Sequence, residues 1–215
     1  MKTKCSLIAS LFFVLSTAVV ATIYLAWLLY PLEVKWLGLE QVVYMKSADI
    51  GYNFTILLRY LTLPWEQVLA MPNFPSSADG LHHFKQVKWL FHLAQAIVLI
   101  SLPGFLSFYK QVIKKGYGKL YRPVFVVAAL VPVVIGVVGF MIGFDQFFTL
   151  FHQILFAGDS TWLFNPNTDP VIYILPAEFF LHCFLLFFGL YEGFCLSMIL
   201  ACKSKRKAGQ IPSSR

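Results

Sequence analysis

Five histidines are the side chains of this sequence best suited to moving protons: His82, His83, His92, His152 and His182. An imidazole titrates near neutrality, and modest changes of environment carry it across physiological pH. His83 and His152 stand at the edges of long apolar runs, one leading into a run and the other leaving one. Asp145, Phe148, Thr149, His152 and Phe156 recur at i, i+3, i+4, i+7 and i+11. That spacing is one face of a helix, so Asp145 and His152 fall two turns apart on the same side. Asp145, Asp159 and Asp169 are candidates to orient an imidazole, and Trp162 suits the headgroup level of a lipid layer. Each aspartate also has a plainer reading as the cap of a helix or turn. His82, His92 and His182 taken singly read as hydrogen-bonded residues near helix ends. The set supports proton transfer at a membrane surface but selects no reaction.

The elements that must position these groups are membrane helices. The 215 residues are 59% apolar and 13% charged, against about 25% charged in soluble domains. Lys4 to Glu33 encloses 28 uncharged residues, Lys88 to Lys110 encloses 21, and Arg122 to Asp145 encloses 22. Pro176 to Cys202 contains only Glu178 and Glu192. About 20 apolar residues cross the hydrocarbon core. Four spans are therefore predicted in one membrane domain: Ser6–Tyr30, Trp89–Tyr109, Pro123–Phe144 and Pro176–Ala201. The first run is too long for a signal-peptide core and reads as a retained anchor. Lys2, Lys4, Lys110, Lys114, Lys115, Lys119, Arg122, Lys203, Lys205, Arg206, Lys207 and Arg215 are 12 of the 17 basic residues, all on one side of these spans. By the positive-inside rule both termini face the cytoplasm. The loops 31–88 and 145–175 then face outward with eight of the ten acids. The net charge of +7 follows from this topology and from attraction to anionic lipid, and no nucleic-acid partner is implied.

The first outer loop is patterned. "EVKWLGLEQVVYM" alternates enough to predict one or two short strands, and "YNFTILLRYL" has helical spacing. The fold expected is an α-helical integral membrane protein with four transmembrane helices and a small mixed α/β extracytoplasmic cap. In the second outer loop the helix of the third span continues past Asp145, and Gly158 ends it. Cys5, Cys183, Cys195 and Cys202 avoid the outer loops and form no CxxC, which argues against a disulfide framework or a thiol oxidoreductase. Neither a Walker loop nor HExxH is present, and no cofactor or metal is expected. Two rival readings are a haem protein ligated by His92 and His182, and a non-catalytic membrane chaperone or transporter subunit.

Three stretches of this sequence resemble a known family. "FDQFFTLFHQILFAGDSTWLFNPNTDPVIYILPAEFF", "HFKQVKWLF" and "YNFTILLRYL" together cover about 75 residues and are similar to motifs of the bacterial lipoprotein intramolecular transacylases, four-span membrane proteins of Gram-positive bacteria. Where that family commonly has an aspartate three residues after its first histidine, this chain has Gln86. The resemblance implies an enzyme of the cell membrane acting on diacylglyceryl lipoproteins. It moves the sn-2 acyl chain to the α-amino group of the N-terminal cysteine and leaves a lyso-form lipoprotein. It also implies His152 and His83 as the catalytic pair, in roles that the sequence does not order. Asp145, Asp159 and Asp169 are then candidates to orient an imidazole. Tyr60, Arg59 and Trp162 are candidates to stabilise an oxyanion or position substrate.

Overall fold

The computed structural model describes residues 2–203, and its regular elements are all helices, with no strand among the described residues. Four helices are long and apolar enough to cross a membrane: α1 (Lys2–Trp36), α4 (Ala78–Phe108), α5 (Arg122–Ile142) and α7 (Ala177–Ala201). Among the described residues three shorter α-helices lie between them, α2 (Leu39–Val43), α3 (Ser47–Thr62) and α6 (Phe144–Leu155), with single helical turns at Tyr109–Ile113, Gly118–Leu120 and Pro170–Ile174. Lys205, Arg206, Lys207 and Arg215 of the basic set lie outside the described residues.

The mixed α/β cap is thus corrected to a helical one. The segment read as strands is the end of α1, a left-handed turn at Gly38 (φ 62°), and α2. A solitary strand here would leave its backbone groups unpaired at the membrane surface, whereas a helix satisfies them locally. Helical continuation also buries Val34 and Leu39. α1 runs on through Pro31, one missing backbone bond being tolerable in a membrane helix held by its neighbours. Tyr30 supplies part of that hold: its hydroxyl donates to the Ile174 carbonyl at 2.7 Å, and its ring stacks on Phe54 with centroids 3.5 Å apart.

The third span and α6 are likewise two helices rather than one. Gly143 separates them at φ 85°, a backbone position that suits only glycine. α6 turns back so that Phe147 packs on Gly139, where an added Cβ would stand 3.0 Å from the ring. Its aromatic face rests on α7, with Phe148 5.1 Å from Phe180 and Phe151 5.0 Å from Phe184 between ring centroids.

The long helices form a row in which α4 packs on α1, α1 on α7, and α7 on α5, while α3 packs across α1 and α4. α4 and α5 are therefore the ends of the row, and α6 reaches from one toward the other at the cap end. Two buried apolar clusters divide the molecule along its axis. One lies at the cap end around Tyr30, Phe54, Phe84 and Phe179, and the other at the opposite end around Phe108, Phe125, Tyr191 and Cys195. Two hydroxyls within the bundle are satisfied in their own helix: Ser10 donates to the Ser6 carbonyl and Thr22 to the Ala18 carbonyl, each at 2.8 Å.

The α1–α4 pairing depends on a close backbone approach at Gly104, where a Cβ would stand 2.4 Å from that of Ala9. Small residues at such crossings let membrane helices pack on one another. Gly104→Leu is expected to part the two helices and destabilise the fold by about 1–3 kcal/mol, read as a lower thermal midpoint in detergent. An unchanged midpoint would contradict this packing.

Candidate functional site

His83 lies in the second turn of α4 and His152 near the end of α6. Their ring centroids are 5.9 Å apart. Both line an apolar cavity of about 540 Å³ bounded by α1, α3, α4, α6 and α7. His152 Nδ1 bonds the Phe148 carbonyl at 2.8 Å. A carbonyl only accepts, so Nδ1 carries the hydrogen, and in the neutral ring Nε2 holds the free lone pair. The ring is also held from its face, with the indole of Trp162 stacked on it at 4.8 Å between centroids. Burial pushes the His152 pKa down from its ordinary value, and the bond to Phe148 partly opposes that shift.

His83 is more enclosed. It is buried, it meets Phe156 and Phe164 edge-on, and its Nδ1 has no hydrogen-bond partner among the described residues. α4 is 31 residues long, about 46 Å at 1.5 Å per residue, against a hydrocarbon core of about 30 Å. Its first turns project beyond the span, and His83 sits there. Burial is the main cause of a pKa pushed down to about 4, with His152 adding to the effect and Asp159 opposing it. Burial therefore favours the neutral form of both imidazoles.

The aspartates take up positions that the sequence left open. Asp145 is exposed in the first turn of α6 and makes no side-chain hydrogen bond to another described residue, so it does not orient His152 despite sharing its helix. A carboxylate there suits the helix N-terminus. Asp159 turns to His82 and Gln86: His82 Nε2 donates to its Oδ2 at 3.1 Å and Gln86 Nε2 to the same oxygen at 2.6 Å. Thr161, whose hydroxyl lies beside the carboxylate and whose N–H donates to Oδ1 at 2.8 Å, holds the Asp159 pKa well below the usual range. The Asp159 carbonyl accepts from Trp162 Nε1 at 3.1 Å, so the residue that binds α4 also sets the indole over His152. Asp169 is fully enclosed. Its Oδ1 accepts from the Ser77 backbone N–H and its Oδ2 from the Thr168 hydroxyl, each at 2.8 Å.

Tyr60 and Arg59 do not reach the histidines. Arg59 pairs with Glu66 at 2.6 Å, and the Tyr60 ring lies under the Lys88 ammonium, 4.5 Å from its centroid. His92 and His182 stand apart from this pair. His92 bonds Gln95 at 3.0 Å, His182 bonds Glu33 at 2.7 Å under the ring of Trp36, and neither lines the cavity. Sequence reasoning missed Gln86 and His82 as a unit, although they are four residues apart and so share a helix face. It also missed Gly80, whose bare Cα admits Asp169: a Cβ there would stand 2.1 Å from Oδ1. Gly80→Ala is expected to eject Asp169 from the start of α4 and destabilise the protein by about 1–3 kcal/mol, seen as a lower thermal midpoint. A variant as stable as the parent would show that this clasp is not needed.

The family model described as lipoprotein intramolecular transacylase Lit matches residues 4–180. No curated protein matches the chain. Among solved structures, the chain is similar to the membrane-integral lipoprotein intramolecular transacylase Lit of Bacillus cereus. The identity is 26%, the TM-score 0.76, and the match covers 92% of this chain and 90% of that one. A form of the Bacillus cereus protein with one histidine changed to alanine aligns equally well, at 26% identity and TM-score 0.76 over 93% of this chain and 90% of that chain. With a family match over most of its length and a shared four-helix membrane architecture, this chain belongs to the Lit family of lipoprotein intramolecular transacylases.

Proposed function

We propose that the enzyme transfers the sn-2 acyl chain of a diacylglyceryl lipoprotein from glycerol oxygen to the α-amino nitrogen of the N-terminal cysteine. The observation that carries this reading is the pair of imidazoles that line one apolar cavity, one with its free lone pair fixed at Nε2. The amine and the ester belong to the same molecule, so the reaction needs orientation more than activation, and orientation is a large source of rate.

In this mechanism the neutral amine attacks the ester carbonyl and the new N–C bond forms. His152 Nε2 accepts the proton that the nitrogen loses. His83 faces the same volume and donates through its ring N–H to the tetrahedral oxyanion. His152 then gives its proton to the glycerol oxygen as the C–O bond breaks, leaving an amide and a free hydroxyl. No nucleophilic side chain is consumed. Trp162 holds the imidazole plane, and Asp159 and Asp169 act as positioning residues. Both termini and the loop between α4 and α5 face the cytoplasm, where Lys110, Lys114, Lys115, Lys119 and Arg122 gather. The site then lies at the outer leaflet of the cell membrane.

The test is expression in a host whose lipoproteins carry diacylglyceryl and a free amine, followed by mass spectrometry of N-terminal lipopeptides. N-acylated lyso peptides are expected, and unaltered peptides would refute the reaction. His152→Ala is expected to lower the rate by about 10²–10⁴-fold, the usual worth of a general base. A variant retaining full activity removes His152 from that role. Because burial lowers the His152 pKa, its base form persists below pH 6.5 and is lost only as pH falls through that lowered value. An α-amino group has a pKa near 8, so kcat/KM should rise toward pH 8 with the substrate amine. An enzyme inflection at or above pH 6.5 would contradict the assignment.

A further inference from the structure

We infer that the cavity is a blind pocket for a single acyl chain, and that Val19 and Phe187 at its floor set the chain length the enzyme accepts. This rests on the acyl-transfer reading and extends it to substrate selection. Following each wall away from His83 and His152, the lining ends at Val19 on α1, Phe91 on α4 and Phe187 on α7. Phe187 belongs to the pocket and to the opposite apolar cluster at once. Its ring stacks on Tyr191 at 5.8 Å between centroids, and Tyr191 is buried in that cluster with its hydroxyl bonded to the Ala128 carbonyl. Below this level the helices are packed, with Ala18, Val14 and Cys195 buried.

The dimensions decide how many chains fit. From His83 to Phe91 is eight residues of α4, about 12 Å of helix. An extended alkyl chain advances about 1.25 Å per methylene, given bonds near 1.5 Å at about 111°, so roughly ten methylenes reach the floor. A volume of about 540 Å³, at roughly 30 Å³ per heavy atom in a liquid, accommodates about 18 heavy atoms. One long chain with a bend fills it, and the two long chains of a diacylglyceryl group do not fit. The second chain then stays in the bilayer.

The lining chemistry agrees with this use. The Thr22 hydroxyl is bonded to the Ala18 carbonyl and the Trp162 N–H to the Asp159 carbonyl, so these residues present their apolar parts inward. The other polar side chains of the lining are the two imidazoles and the Cys183 thiol, and of these the imidazoles stand at the end away from Phe187. A chain seated in the pocket brings its carboxyl end to them, which commits one ester to transfer.

The experiment uses the full-length protein in detergent or lipid with synthetic diacylglyceryl cysteinyl peptides. These carry a ten-carbon or a sixteen-carbon chain at the transferred ester and the same second chain. Val19→Phe raises the floor. It is expected to lower kcat/KM for the sixteen-carbon substrate relative to the ten-carbon one by at least about tenfold, the discrimination even one methylene commands in a tight pocket. Phe187→Ala opens the floor and should move the ratio toward the longer chain. Equal losses on both substrates in Val19→Phe, with an unmoved ratio in Phe187→Ala, overturn the inference. Should the parent protein transfer neither chain, the acyl-transfer reading itself fails, and that outcome is distinct from an unmoved ratio.

Discussion

Two carboxylates, Asp159 and Asp169, hold the chain that follows α6 against the first turns of α4, and the spacing of the two imidazoles depends on them. The helix carrying His152 has no buried residue of its own and is joined to α5 through a single glycine with positive φ. Aromatic contacts with α7 and the packing of Phe147 on Gly139 of α5 support it. The bonds from Ser77, His82 and Gln86 to these carboxylates join the edge-on contacts of His83 with Phe156 and Phe164 in tying its far end to α4. A membrane interface makes such bonds effective, because charged groups near hydrocarbon are costly to leave unsatisfied.

The same arrangement explains how an apolar site holds neutral bases. Neither imidazole faces a carboxylate directly. Asp159 is occupied by His82, Gln86 and Thr161, and His152 is oriented by a backbone carbonyl from its own helix. An aspartate bonded to His152 would raise its pKa and favour the imidazolium. A carbonyl fixes the tautomer with much less of that effect. In the proposed reaction this keeps a base available without a compensating charge in the cavity. Gln86 contributes its amide nitrogen to Asp159 rather than a second negative charge.

Much of this was legible in the sequence, in a graded way. The four long helices follow from uncharged runs that only a bilayer accommodates. His83 and His152 stood out because both bordered those runs, and the spans bring them to one end of the bundle. The cap was misread because alternation in "EVKWLGLEQVVYM" does not reveal whether a partner strand exists. The break at Gly143 was missed because apolar spacing continues through it, and only backbone geometry separates α5 from α6. The three aspartates were indistinguishable in sequence. The α4-end partners of Asp159 and Asp169, namely Ser77, His82 and Gln86, are 73 to 92 residues away, and separations of that size carry no local signal.

The central claim is that donor and acceptor lie in one molecule, seated before two neutral imidazoles. It is tested most directly by crossover with isotopes. Two lipopeptides of different mass are mixed with the purified protein, one carrying a deuterated chain at the sn-2 ester. The account predicts deuterium only in the N-acyl group of the peptide that brought it. Deuterated amide on the other peptide, or release of deuterated free fatty acid in its place, would contradict intramolecular transfer at this site.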